Sequence, residues 1–190
     1  MIGSHEVARY CWVAFGLVWL VGAFSNKKTL RRVSVGWPLI LHVLVLALAF
    51  DLLFSDLFRR GFLRWEFVPD QDAVGWFGAV LTMAGIAFCI WARFYIGRNW
   101  SGTITLKQGH TMVRTGPYAF VRHPIYAGLL LAVLGTALVS GEVRGLVAFA
   151  LLVVEWKRKS LIEERLMIEQ FGAAYLRYRG EVKGLIPGVW

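Results

Sequence analysis

The chain has 190 residues, of which 57% are hydrophobic and 15% aromatic, and its formal net charge is +9. This apolar share is too large for a water-soluble core of that length, so the composition favours lipid as the solvent. The basic residues fall in short clusters between long apolar stretches, which argues against a nucleic-acid-binding surface. The charge is therefore interpreted as a membrane topology signal.

Five apolar stretches divide the chain. A helix needs roughly 20 apolar residues to cross the hydrocarbon core, and fewer where the bilayer is thinned or the helix is partly embedded. Three stretches meet this requirement, at about 7–24, 35–54 and 73–96. Two shorter ones, at about 125–139 and 145–156, predict a tight helical hairpin. The sequence thus predicts an all-α integral membrane bundle of about five transmembrane helices.

Charge placement tests this division independently, because cytoplasmic loops carry an excess of Lys and Arg. The first loop, the third loop and the C-terminal tail hold four, five and seven of the 21 basic residues. Arg9 is the only early basic residue, so the first stretch is expected to be a retained membrane helix and not a cleaved signal. The alternation predicts an outside N-terminus and a cytoplasmic C-terminus, and we expect the cell membrane as the location.

After the fifth stretch, apolar residues recur at helical spacing at Leu161, Ile168, Phe171 and Tyr175. Charged residues occupy the opposite face, which predicts a C-terminal amphipathic helix on the cytoplasmic side.

Ionisable residues inside the apolar stretches are costly unless they are paired or reach water. His42 lies in the middle of the second stretch, and we expect it to form a buried hydrogen bond. Arg93 lies near the end of the third stretch, where its side chain could extend to polar surroundings. Cys11 and Cys89 lie in apolar runs without metal-ligand spacing, so no metal site is expected.

The loop between the third and fourth stretches concentrates polar and aromatic residues where the chain re-enters lipid. Pro124 suits the first turn of a helix, which would leave free backbone N–H groups and a positive dipole end near Arg122 and His123. A carboxylate could bind there. The same residues are also typical of a plain helix end, with Arg122 as a topological anchor and His123 as a satisfied polar residue.

A second cluster, Lys157-Arg158-Lys159-Ser160-Leu161-Ile162-Glu163-Glu164, follows the fifth stretch. A carboxylate here could bind the ammonium or ribose hydroxyls of a ligand, and a neighbouring Lys could bind a substrate carboxylate. The alternative is structural, because Ser160 and Glu163 match a helix capping box and 157–159 match a basic helix end.

The two clusters belong to a longer set of motifs: Arg122-His123-Pro124-x-Tyr126, Glu163-Glu164, Phe171-Gly172-x-x-Tyr175-x-x-Tyr178 and Leu185-Ile186-Pro187. This set resembles the C-terminal half of the isoprenylcysteine carboxyl methyltransferase family, over about 93–187. The chain is accordingly interpreted as one membrane domain, 1–190, in which 93–190 carries the cofactor-binding half.

The resemblance implies a membrane-embedded S-adenosylmethionine-dependent methyltransferase acting on a lipophilic or lipid-modified acceptor from the bilayer, such as an isoprenylcysteine-like carboxylate. Lys159 matches a basic residue associated with the substrate, which is usually Arg in the member that acts on prenylated proteins. The residues matching the family's cofactor contacts are His110, Thr111, Met112, Val113, Tyr118, His123, Pro124, Ile125, Tyr126 and Glu163.

The acceptor decides whether a catalytic base is needed. An ionised carboxylate needs none, whereas an amine or thiol must lose a proton, for which His123 and Tyr126 are the nearest candidates. Arg122, His123 and Tyr126 are therefore the candidate catalytic residues.

Two other functions stay open from the sequence. Membrane sterol reductases share a similar C-terminal half and bind NADPH, but they are much longer, so 190 residues favour methyl transfer. A non-enzymatic membrane scaffold or lipid-binding protein is the third possibility, in which the motifs would serve topology alone. The chain has no G-x-G-x-x-G motif of a soluble dinucleotide-type domain.

Overall fold

A computed structural model describes residues 2–23, 29–32, 36–68, 72–97, 100, 105–107 and 111–188. The elements are α1 (Ser4–Ala23), β1 (Thr29–Arg32), α2 (Trp37–Phe54), α3 (Asp72–Ile96), β2 (Thr105–Lys107), α4 (Pro124–Ser140), α5 (Val143–Phe171) and α6 (Ala173–Glu181). The predicted helical membrane fold is confirmed. The two short strands were not predicted.

Two helices of the described chain, α2 and α3, are long and apolar enough to cross a membrane, and α4 is a shorter apolar helix. The outward faces of the helices carry large exposed apolar side chains, among them Leu17, Leu44 and Phe77. Such faces suit contact with lipid tails. The predicted count of five crossings stays a prediction.

The loops meet in pairs at the two ends of the bundle. β1 and β2 pair antiparallel, with Thr29 opposite Lys107, so the first and third loops lie at one end. At the other end the Phe67 N–H donates a hydrogen bond of 2.9 Å to the Gly141 carbonyl, which joins the second and fourth loops. The helices from α2 to α5 therefore run alternately in opposite directions.

α3 and α4 cross at a seam of glycines. A Cβ atom added at Gly85 would lie 2.5 Å from the Gly128 carbonyl oxygen, and one added at Gly135 would lie 2.5 Å from the Gly78 carbonyl oxygen. Glycines seven residues apart on each helix thus let the backbones touch, as small residues do in membrane helix pairs.

Polar side chains fasten α1 to this pair. The Trp12 indole donates a 2.9 Å hydrogen bond to the Thr136 hydroxyl, which in turn donates to the Ala132 carbonyl. Arg93 is buried on α3 and donates to the Gly22 carbonyl at the end of α1, at 2.6 Å. Arg93 also donates to the Gly97 carbonyl at 3.0 Å, so the buried side chain reaches polar backbone groups at the ends of α1 and α3.

α5 is one helix of 29 residues, roughly 44 Å long. The stretch predicted to start a separate amphipathic helix at Leu161 continues α5 instead, since nothing in its sequence breaks a helix before Gly172, where φ is +52°. Tyr175 lies on the next helix, α6. The capping-box interpretation is wrong, because Ser160 lies in mid-helix and donates to the Lys157 carbonyl.

Candidate functional site

A cavity of about 430 Å³ lies between the loop that precedes α4 and the middle of α5. Residues from all six described α-helices complete its walls. Its volume falls within the roughly 300–1,000 Å³ that small-molecule sites occupy.

The structure brings the two predicted clusters together on this cavity, although they are about 40 residues apart in the chain. His110 lies outside the described residues. The other predicted site residues all line the cavity: Thr111, Met112, Val113, Tyr118, Arg122, His123, Pro124, Ile125, Tyr126, Lys159 and Glu163. Their functional roles stay predictions.

The local fold explains how the loop reaches the cavity. Gly116 has φ of +59° and a Cβ added there would lie 2.5 Å from the Tyr95 ring, so the turn at this position requires glycine. Pro124 begins α4, as predicted. The Tyr178 hydroxyl of α6 donates a 2.6 Å hydrogen bond to the Tyr118 carbonyl, which holds the loop against the C-terminal segment.

His123 lies between two carboxylates. Its Nδ1 is 3.5 Å from Glu163 Oε2, and its Nε2 is 3.2 Å from Glu164 Oε1. Burial lowers the pKa of His123, but the two carboxylates outweigh burial and raise that pKa. The ring is thus favoured as an imidazolium that donates from both nitrogens, a state unsuited to the predicted role of a base.

Glu163 presents a carboxylate to the cavity. The Tyr126 hydroxyl donates a 2.5 Å hydrogen bond to its Oε1, and a quarter of its side chain is exposed. Burial opposes ionisation, but His123, Lys159 and Tyr126 together lower the pKa of Glu163. The cavity wall therefore carries an ionised carboxylate that can bind a cationic group.

Glu164 and Arg122 instead join α5 and the C-terminal segment to the loop that precedes α4. The Arg122 guanidinium donates to Glu164 Oε1 at 2.9 and 2.5 Å, to the Arg179 carbonyl at 3.1 Å and to the Val182 carbonyl. Burial acts against ionisation, yet His123 and Arg122 lower the pKa of Glu164 to about 2. With its donors committed to these partners, Arg122 suits a structural role better than the predicted catalytic one.

Lys159 lies one helical turn before Glu163 on α5, also lines the cavity, and is 8% exposed. Its ammonium is 5.5 Å from the centre of the Tyr126 ring and 3.5 Å from His42 Nε2. Tyr126 stacks between His123 and Trp156, with ring centres 5.7 and 6.1 Å apart. Burial lowers the pKa of Lys159.

An apolar wall was missed by sequence analysis: Phe15, Trp19, Leu46, Phe50, Leu129, Trp156 and Met167. Helices that are apolar all round give no periodic contrast between a cavity face and a lipid face.

His42 is recognisable in the sequence as a polar residue in an apolar stretch. Its predicted hydrogen bond is confirmed, since Nδ1 lies 2.8 Å from Glu155 Oε1. The sequence did not indicate that this ring also lines the cavity.

Comparisons with known proteins all find methyltransferases. A family model described as phospholipid methyltransferase matches residues 74–174. The protein-S-isoprenylcysteine O-methyltransferase of Schizosaccharomyces pombe is 33% identical over 101 residues, covering 50% of this chain and 42% of the relative. The protein of the same name from Homo sapiens is 30% identical over 176 residues, covering 89% and 59%. The chain spans about half the length of these curated relatives.

A solved structure of a eukaryotic intramembrane Ras methyltransferase, an isoprenylcysteine carboxyl methyltransferase, superposes with a TM-score of 0.55. The match covers 83% of this chain and 55% of that one at 20% identity. The likeness shows a shared fold.

Proposed function

We propose that this chain, which belongs to the phospholipid methyltransferase family, is an integral membrane methyltransferase that uses S-adenosylmethionine and methylates a lipophilic carboxylate. The observation that carries the proposal is the single cavity that joins the two clusters, with Glu163 and Lys159 on its walls. The printed names of the relatives, protein-S-isoprenylcysteine O-methyltransferases, support the same reaction.

The residues present fit S-adenosylmethionine. Its ammonium and sulfonium groups are cations, and the ionised Glu163 carboxylate and the Tyr126 and Trp156 rings are groups that bind cations. Thr111 to Val113 would contribute the facing wall. When bound, the cofactor would supply an electrophilic methyl group on its sulfur.

The acceptor side favours an anion. The cavity residues proposed as bases are occupied in the described structure, because His123 donates to carboxylates and the Tyr126 hydroxyl donates to Glu163. A carboxylate needs no base, and the Lys159 ammonium would attract it. An amine acceptor would meet repulsion from Lys159 and find no ready base.

The remaining work of the chain is alignment and exclusion of water. Direct transfer of a methyl group requires donor and acceptor in line and close together, which a rigid site achieves by binding both. The apolar wall from α1 and α2, including Phe15 and Phe50, suits the hydrocarbon part of an acceptor arriving from the bilayer.

The topology is also part of the proposal: five crossings, an outside N-terminus and a cytoplasmic C-terminus in the cell membrane. The pairing of the first loop with the third, and of the second with the fourth, supports the alternation of directions. α1 and the first half of α5 would be the crossings in addition to α2, α3 and α4. The cavity would then open toward the cytoplasm, where S-adenosylmethionine is made.

Glu163→Gln tests the cofactor site. Purified protein in lipid nanodiscs should bind S-adenosylhomocysteine, as measured by calorimetry, and the variant should lose about tenfold or more in affinity, the effect of one hydrogen bond to a charged group. Glu169→Gln, an exposed change on the same helix, should bind as the parent does. Tight binding of NADPH in place of S-adenosylhomocysteine would establish the reductase alternative, and binding of neither would leave the scaffold.

Methyl-labelled donor tests the acceptor class. We expect label to enter N-acetyl-S-farnesylcysteine as a methyl ester, which alkali releases as methanol. Vesicles of phosphatidylethanolamine are the matched amine acceptor. Alkali-stable label on that lipid alone would contradict the carboxylate proposal while leaving methyl transfer intact.

A further inference from the structure

His42 lies in the second turn of α2 with 12% of its side chain exposed, and it lines the cavity. Its two ring nitrogens have different partners: Nδ1 is 2.8 Å from Glu155 Oε1, and Nε2 is 3.5 Å from Lys159 Nζ. A buried polar ring in an apolar membrane helix is costly, so a function is the default explanation.

The Glu155 carboxylate fixes which nitrogen carries the proton. Arg158 donates to both of its oxygens, at 2.9 and 2.6 Å, and Glu155 is 4% exposed. A carboxylate held in this way accepts a hydrogen bond from His42 Nδ1. The Nε2 lone pair then faces the Lys159 ammonium, because a second proton there would place two cations 3.5 Å apart.

Lys159 needs such support because its charge sits at the end of a flexible four-carbon chain. The ammonium lies over the Tyr126 ring, 5.5 Å from its centre, and 3.5 Å from His42 Nε2. Lys159 lines the same cavity as the Glu163 carboxylate and the apolar residues of α1 and α2. An acceptor with a lipid tail and an anionic head would have its head beside the Lys159 ammonium.

Resting on the proposed function, we propose that His42 is a positioning residue of the acceptor subsite. Its ring, oriented by Glu155, holds the Lys159 ammonium where the acceptor carboxylate must lie for transfer. The residue acts through Lys159, so it governs binding of the acceptor and not binding of the methyl donor.

Two substitutions separate this role from simple packing. His42→Phe keeps a ring of similar size but removes both nitrogens, whereas His42→Gln keeps a donor and an acceptor on one planar group. With N-acetyl-S-farnesylcysteine as the acceptor, we expect His42→Phe to raise the acceptor KM about tenfold, the loss of one hydrogen bond to a charged group. His42→Gln should stay within about threefold of the parent, and affinity for S-adenosylhomocysteine should be unchanged in both.

A double-mutant cycle shows whether the effect passes through Lys159. In a Lys159→Met background, His42→Phe should raise the acceptor KM no further, because the ammonium it holds is gone. Independent, multiplicative effects of the two changes would overturn the proposal. Leu44→Phe, a lipid-facing change on the same helix, is the control and should leave the acceptor KM as it is.

The outcomes distinguish failure of this proposal from failure of the enzyme assignment. If the parent binds S-adenosylhomocysteine and transfers methyl groups while His42→Phe leaves the acceptor KM unchanged, only the role of His42 is wrong. If the parent does neither, the proposed function fails and the role of His42 fails with it. Should His42→Phe not fold, Glu155→Gln replaces it and should give the same selective rise in acceptor KM.

Discussion

The first turns of α4 are packed in different ways on the sides facing α3 and α5. Toward α3, glycines let the backbones touch, and a Cβ at Gly85 would lie 2.5 Å from backbone atoms of α4. Toward α5, these turns border a cavity of about 430 Å³ lined by large aromatic side chains, and the backbone of α4 approaches α5 closely farther along, at Ala137 and Gly145. The contact with α3 therefore sets the distance between helices, while the side facing α5 provides space for ligands.

Two adjacent carboxylates on α5 show the same contrast between a structural contact and a cavity-facing group. Glu164 is bonded to Arg122 and His123 and paired with Arg179 at 3.3 Å, so its charge is used within the protein. Glu163 is bonded to Tyr126 and keeps a quarter of its side chain exposed at the cavity. One residue holds the structure together and its neighbour faces the ligand space.

The largest expected effect is on stability, from Glu164→Gln. Removing this charge leaves the buried Arg122 guanidinium uncompensated, so the free energy of unfolding should fall by about 3 kcal/mol. Unfolding in mixed sodium dodecyl sulfate micelles would measure it. The exposed change Glu181→Gln on α6 is the control, and equal stabilities for the two variants would contradict the structural role of Glu164.

A smaller loss is expected at the seam. Gly85→Ala inserts a methyl group against the backbone of α4 and should cost about 1–3 kcal/mol in unfolding free energy. Folded Gly85→Ala protein should still bind S-adenosylhomocysteine as the parent does, since the seam is on the far side of α4. Gly16→Ala, which has open space around the added Cβ, should not destabilise. A seam variant with parental stability would show that the close contact is dispensable.

The smallest effect is a pH dependence. The pKa of Glu164 is about 2 in the folded protein against an ordinary value of 4.5, so its stabilisation is present above pH 4.5 and is lost as pH falls from 4.5 toward 2. Between pH 6 and pH 4 the parent should lose on the order of 1 kcal/mol more than Glu164→Gln does. Identical pH profiles for the two proteins would rule out the low pKa.

Local sequence predicted several elements closely. The second apolar stretch, predicted at about 35–54, forms α2 at Trp37–Phe54, because an unbroken apolar run has clear ends at Gly36 and Ser55. The prediction of two separate helices within α5 is wrong, because its apolar first half and its charged second half differ in composition but not in backbone conformation. Helix continuity depends on the absence of a breaker, and the first one is Gly172.

The candidate site was predictable only where residue chemistry is distinctive. Charged or ionisable side chains at the borders of apolar stretches are recognisable as candidate site residues, and these are His123, Lys159 and Glu163. The cavity residues Phe15 and Phe50 are not recognisable in this way, because an aromatic residue in an apolar helix has the same local pattern whether it faces lipid or a cavity.

The amino-acid sequence by itself determined that the chain enters lipid, where its apolar runs begin and end, and which polar residues lie at their borders, because these depend on local composition and spacing. Only the tertiary structure decided that Glu163 faces the cavity while Glu164 binds Arg122, and that His42 reaches Lys159. Those contacts join residues far apart in the chain, and the rotation and close approach of whole helices set them.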